Sequence, residues 1–154
     1  MRHRKDHRKL SRTHEHRRAV LRNLVTALFQ FERIETTLAK AKETRRFAER
    51  MITFAKKGDL AARREVASYV TRPAVTKKLF ETIAPWYTAR PGGYTRIVRS
   101  RARLGDAGEM AFLELVKSKD QKDKERRDAE EAVAAQAAKS AKAAKKETQA
   151  AAAK

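Results

Sequence analysis

The chain has 154 residues, with 38 Lys+Arg against 19 Asp+Glu and a net charge of +19. So large a positive charge repels itself unless a polyanion neutralises it, which makes nucleic acid the leading partner. The absence of cysteine excludes disulfides, thiol nucleophiles and cysteine-type metal sites.

Residues 1–18 hold eight Lys/Arg, two acids and little to bury. The N-terminus lacks the apolar run of a secretory signal, and no stretch approaches the roughly 20 apolar residues of a membrane span. Together with the missing cysteines this fits a cytosolic chain. Basic residues at nearly every position of 2–12 predict an extended arm, 1–13, disordered on its own and suited to lying along phosphates while counterions are released. Its cations are Arg2, Arg4, Lys5, Arg8, Lys9 and Arg12, followed by Arg17 and Arg18. His3, His7, His14 and His16 lie among them. His3 and His7 are four apart, but no carboxylate or thiol completes a zinc set and the surrounding cations repel a metal ion, so RNA-facing histidine is the better reading.

Val20, Leu21, Leu24, Val25, Leu28 and Phe29 mark one face of a helix over about 14–30, with Thr13 as N-cap. The β-branched run 33–37 predicts a strand, and Thr37 is placed to cap a second helix, 38–57. That helix should bury Leu38, Ala41, Phe47, Ala48, Met51, Ile52 and Ala55, and end at Lys56-Lys57-Gly58. Asp59 should cap a short helix, 60–70, carrying Leu60, Ala67 and Val70. Pro73 opens a fourth helix that buries Val75, Leu79, Phe80 and Ile83, with Pro85 as its limit.

After Pro91-Gly92-Gly93 the apolar period changes from 3.6 to 2. Residues 94–104 alternate, with Tyr94, Val98, Ala102 and Leu104 on one side, expected to face the helices, and Ile97, Arg99, Arg101 and Arg103 on the other, the three arginines expected to face solvent. Gly105–Gly108 is turn chemistry, and 110–116 returns as a strand. The expected architecture is α+β: two layers, helices packed on a small three-stranded sheet, in the order α-β-α-α-α-β-β. A separate region, 117–154, holds 13 alanines, 11 Lys/Arg and 7 acids; it reads as an Ala/Lys-rich tail, helical or disordered.

Arg96 and the i, i+2 row Arg99, Arg101, Arg103 form a second basic cluster, without an acid from 94 to 105. Residues two apart on a strand point the same way about 7 Å apart, near the phosphate repeat of a nucleic-acid strand. The Pro-Gly-Gly turn lacks the P-loop pattern. Trp86 and Tyr87 either stack on bases or cap a core, the core being the commoner outcome. Enzyme motifs are missing, and the acids of the middle region, such as Glu43 and Glu65 beside arginines, read as solvated helix faces. No cofactor or metal is expected.

An ordered series of short motifs then stands out: Met1–Lys5, Leu10-Ser11-Arg12, His16-Arg17, Arg22-Asn23-Leu24, Ile34–Thr37, Ala39–Glu43, Arg45-Arg46, Ile52-Thr53, Ala55-Lys56, Lys78–Phe80, Gly92–Ile97, Arg103–Asp106, Met110-Ala111 and Leu113–Val116. Over 1–116 the chain resembles the bacterial large-subunit (50S) ribosomal protein family numbered seventeen. The resemblance implies a two-layer α/β fold, 23S rRNA and neighbouring ribosomal proteins as partners, and a place near the outer end of the peptide exit tunnel. Family members commonly end near residue 116, so the tail's role is not implied. The candidate RNA contacts are the arm (Arg2, His3, Arg4, Lys5, Arg8, Lys9, Arg12), the start of the first helix (His16, Arg17, Arg18, Arg22) and the hairpin (Arg96, Arg99, Arg101, Arg103). The competing reading is a nucleoid-associated DNA-binding protein, which would favour a helix-turn-helix or a minor-groove wedge. An RNA-modifying enzyme would need a cofactor loop or acid/base pair that is not found.

Overall fold

The computed structural model describes residues 7–117. Arg2, His3, Arg4 and Lys5, and the Ala/Lys-rich tail beyond Lys117, lie outside the described residues. The fold is α+β, with helices packed on one face of a three-stranded antiparallel sheet.

Helix α1, His14–Phe31, starts where expected: the Thr13 hydroxyl accepts from the His16 N–H at 3.4 Å. Its buried face is Leu21, Val25, Leu28 and Phe29. It ends at Glu32, in the left-handed region at φ 65°. That conformation is held from two sides. The Glu32 N–H donates to Leu28 O at 2.7 Å, and its carboxylate accepts from Lys78 Nζ at 2.7 Å. The sharp reversal sends the chain directly into β1, Arg33–Thr37.

Helix α2, Leu38–Lys57, follows without a loop. Thr37 occupies its N-cap position but makes no side-chain cap bond. Thr37 is also the last residue of β1, paired with Met110, so its side chain follows the pleat of the strand. The expected apolar stripe is buried except that Phe47 is only half-buried, Glu43 and Thr44 are buried beside it, and Gly58 (φ 73°) takes the left-handed C-cap.

Helix α3, Leu60–Tyr69, is capped by Asp59, whose carboxylate accepts from the Ala62 N–H at 2.9 Å. Here the expected face holds only at Val70. Leu60 is 63 % exposed and Ala67 is exposed; the helix buries Ala62 and Val66. Those two are four apart and line up with Val70 and with Tyr69, whose ring stacks on Phe47 at 5.6 Å. Leu60 and Ala67 sit off that stripe.

Helix α4, Pro73–Lys78, runs into a π-helical turn, Leu79–Ile83, and a final α-turn, α5, Ala84–Trp86. Pro85 therefore does not limit the helix as expected. The Ala84 N–H reaches back five residues to Leu79 O. This widening makes room for a proline, which has no N–H and whose ring would collide with the carbonyl four residues earlier. Tyr87 is fully buried edge-on against Tyr94 at 5.1 Å, so the core reading holds for Tyr87, while Trp86 is half-buried against the same core.

The sheet order is β1-β3-β2, with β2 Thr95–Ala102 and β3 Glu109–Leu115. The central strand turns Ala111, Leu113 and Leu115 to the helices, opposite Ile34, Thr36, Thr95 and Ile97. Met110, Phe112 and Glu114 face away, opposite Arg33, Glu35, Arg96 and Val98. The pleat of β2 is thus the reverse of the sequence expectation. Tyr94 is buried by its contact with Tyr87 before β2 begins, and does not set the parity of the strand. Val98 is 41 % and Leu104 92 % exposed.

Candidate nucleic-acid interface

The segment entering α1 does not run straight. Leu10 and Ser11 both take positive φ, 59° and 52°, so the chain reverses there. Neither is glycine, and each left-handed residue costs roughly 1–2 kcal/mol. Arginines hold the turn. Arg12 Nη1 donates to Leu10 O at 2.7 Å, and Arg17 Nε donates to Arg8 O at 2.7 Å. Arg46 Nη1 lies 2.9 Å from His7 Nδ1. The described part of the basic segment is thereby folded back against α1 and α2.

Arg17 has a second task. Its Nη2 lies 3.1 Å from Glu43 Oε2, and Glu43 is 5 % exposed. The sequence reading of Glu43 as a solvated acid is therefore overturned: it points inward, and Arg17 neutralises it. Arg22 is likewise engaged, donating from Nε to Tyr69 O at 2.9 Å and from Nη2 to Ser68 O at 2.7 Å. It clamps α1 to the carbonyl end of α3. Beside it the Tyr69 phenol is pushed up to about 12, by burial first and despite the opposing charges of Arg22, Arg17 and Arg18. His16 and Arg18 are exposed on α1.

Three adjoining clefts gather Arg8, Lys9, Arg12, Arg17 and Arg99 with further basic side chains of α2. One, of about 370 Å³, is lined by His7, Arg8, Lys9, Arg12, His14 and Arg17. Arg8 also lines a second, of about 310 Å³, with Thr37, Leu38, Ala39, Lys42, Arg99, Gly108 and Glu109. Leu38, Lys42 and Arg99 pass on into a third, of about 490 Å³, completed by Arg45, Arg46 and Ile97. Shared walls make these one basic groove from the start of α1, past the start of α2, to β2. Among the described residues that line it, Glu109 is the one acid. Glu49 lies behind it, 3.1 Å from Arg45 and accepting from Thr95 at 3.0 Å. A groove lined by one sign of charge focuses the field and attracts a polyanion.

The hairpin arginines do not form one row. Arg99 pairs with Ala111 and Ala102 with Glu109, so three steps on β2 span two on β3: a β-bulge at Ser100-Arg101. Arg99 lies on the helix side, within the groove. The bulge opposes Ser100 and Arg101 to Met110, so Arg101 belongs to the far face. Arg103 lies beyond β2 in the turn, where its guanidinium binds both carboxylate oxygens of Asp106. Asp106 is held down at about 2, first by that hydrogen bond and then by the Gly108 N–H. Arg96, on the far face, is 3.9 Å from Glu114, which Arg33 also approaches at 3.7 Å while lying 4.0 Å over the Phe112 ring.

The structure thus gathers Arg8, Lys9, Arg12, Arg17 and Arg99 and separates Arg22, Arg96, Arg101 and Arg103 from them. It adds Lys42, Arg45 and Arg46, which the sequence reading passed over. Their signal was present: they stand three and four residues apart on the polar side of α2.

Residues 20–116 match the family model described as "Ribosomal protein L17". The chain is 58 % identical over 110 residues to "Large ribosomal subunit protein bL17" of Clostridioides difficile (strain 630), covering 71 % of this chain and 97 % of that protein. It is 52 % identical over 116 residues to the protein of the same name from Fusobacterium nucleatum, covering 75 % and 100 %. With the Trichlorobacter lovleyi protein of that name it shares 54 % over 117 residues, covering 76 % and 94 %.

Proposed function

The chain belongs to the ribosomal protein L17 family, and on that premise we propose that it is a structural, non-catalytic component of the large ribosomal subunit that binds 23S rRNA near the peptide exit tunnel and works in the cytoplasm within the ribosome. The observation that supports rRNA binding is the groove: Arg8, Lys9, Arg12, Lys42, Arg45, Arg46 and Arg99 converge with Glu109 as the one acid among the described residues of its wall. Side chains of this type contact phosphate oxygens and displace counterions from the nucleic acid, and arginine forks suit phosphate geometry. No enzymatic role is assigned, and no cofactor is needed: the contribution is neutralisation and shape. The far face of the sheet carries Arg33, Arg96 and Arg101 and serves a second RNA segment or a neighbouring ribosomal protein. The exit-tunnel location follows from the family resemblance alone.

Co-sedimentation of the full chain at moderate salt tests the reading. It should travel with 50S particles and protect 23S rRNA nucleotides from cleavage. Travel with nucleoid DNA instead would favour a DNA-binding protein and overturn it.

A further inference from the structure

The cleft of about 370 Å³ at the root of the basic segment differs from the rest of the groove. Among the described residues its wall is made of His7, Arg8, Lys9, Arg12, His14 and Arg17, without an acid or a large apolar side chain. Two of the four strong cations are tied to the protein: Arg17 to Glu43 and to the Arg8 carbonyl, Arg12 to the Leu10 carbonyl. The Arg12 Nε–H is sealed from solvent with no acceptor. An unsatisfied buried donor on a charged group is unfavourable, more so than a neutral one. It sits on a turn whose two central residues already hold positive φ. The free form of this turn therefore lacks one acceptor, and the surrounding charge dictates that the acceptor be anionic.

We infer that this cleft is a clamp for a single phosphodiester of a bound RNA strand, closed when the Arg12 fork turns from the Leu10 carbonyl onto the phosphate while Arg8 and Lys9 supply the balancing charge. The inference rests on the rRNA-binding reading above. A phosphodiester fits better than an acidic peptide because the cleft continues, through Arg8, into two more basic clefts, as a chain of regularly spaced phosphates requires. The N-terminus of α1 is not needed as a contributor, because Thr13 already caps it.

Arginine Nε–Hε resonances of the full chain report on the clamp directly. Titrated with inorganic phosphate, and separately with a single-stranded RNA oligonucleotide, the Arg12 signal should shift saturably. The Arg22 signal, held by the Tyr69 carbonyl, should stay. Arg12→Lys keeps the charge and loses the fork; it should weaken RNA binding roughly tenfold with an unchanged salt slope, as expected for losing a charge-assisted hydrogen bond rather than a counterion-releasing charge. A shift of Arg99 but not of Arg12 on adding RNA leaves the groove as the RNA interface and overturns the clamp. No shift at any arginine on adding RNA overturns both readings. An Arg12 shift with phosphate but not with RNA makes the cleft a free-anion site. An equal shift with a polyglutamate peptide makes it a site for acidic protein. Either result overturns the clamp.

Discussion

Arg17 of α1 and Glu43 of α2, 26 residues apart in sequence, form an ion pair at 3.1 Å with the carboxylate almost wholly buried. The same guanidinium binds the Arg8 carbonyl. One side chain thus joins two helices and the start of the basic segment. Removing one partner of a buried pair leaves an uncompensated charge. Arg17→Ala should therefore lower stability by about 3 kcal/mol in urea unfolding, and the Arg17→Ala/Glu43→Leu double variant should recover part of the loss. A change within about 0.5 kcal/mol, the range of ordinary surface substitutions, would show that Glu43 escapes to solvent instead.

The same contacts separate two truncations of the basic segment. Deleting 2–6, which takes away Arg2, Arg4 and Lys5, should flatten the salt dependence of RNA binding while leaving the melt unchanged. Deleting 2–12 also removes the Arg8 carbonyl and His7, which Arg17 and Arg46 bind. Two largely exposed hydrogen bonds are worth about 1 kcal/mol each at most, so unfolding should occur about 1–2 kcal/mol earlier. Equal melts for the two truncations would mean that the turn at Leu10-Ser11 adds nothing to the fold.

Where a feature of this fold is local, the sequence displays it. The Thr13 and Asp59 caps, the Gly58 stop, the apolar stripes of α1 and α2 and the turn at 105–108 each need only their neighbours. Where a feature depends on a distant partner, no local pattern reveals it. Glu43 looks solvated beside Arg45 because its partner lies on another helix. The parity of β2 is not legible locally because Tyr94 is buried by Tyr87, and a bulge is invisible in an alternation that reads equally well on either face. The two basic segments were recognised from composition. Their division between one groove and the far face of the sheet required the register.

The hairpin turn carries its own pH dependence. Asp106 titrates at about 2, against an ordinary value of 3.8, because the Arg103 guanidinium and then the Gly108 N–H stabilise its charged form. A carboxylate lowered in the folded state contributes its stabilisation above the unfolded value and loses it as pH falls through the folded one, here between about 4 and about 2. At neutral pH the pair is fully formed and indifferent to small pH changes. A carbonyl-carbon NMR titration should give a midpoint near 2 for Asp106, rising in Arg103→Gln but stopping short of the ordinary value, because the Gly108 N–H remains. A wild-type midpoint near 4 would mean the pair does not form in solution.

Residues 117–154 invite a simple test from composition. With Val133 as the one larger aliphatic beyond Lys117, the segment offers little apolar area to bury. Ending the chain at Val116 should leave the melting temperature nearly unchanged. A fall beyond about 4–8 °C, equivalent to roughly 1 kcal/mol for a domain of this size, would show that the segment contributes to stability after all.

The bulge at Ser100-Arg101 predicts that the hairpin arginines act separately rather than as one strip. Arg99 lies in the groove with Lys42, Arg45 and Arg46; Arg101 belongs to the opposite face; Arg103 already has Asp106 as counterion. Replacing each by Gln keeps side-chain length and removes one charge. If the groove carries the RNA, Arg99→Gln should reduce the slope of log K against log salt by about 0.7–0.9, the loss of one phosphate contact. Arg103→Gln should leave that slope unaltered, since its guanidinium is engaged by Asp106 and not by a phosphate. Arg101→Gln should act additively with Arg99→Gln, because the two side chains lie on opposite faces and share no partner. All three melts should stay within about 0.5 kcal/mol of the wild type, as for other exposed positions. Equal slope changes for Arg99 and Arg103, with intact melts, would restore a single strip and show that the bulge does not persist on RNA.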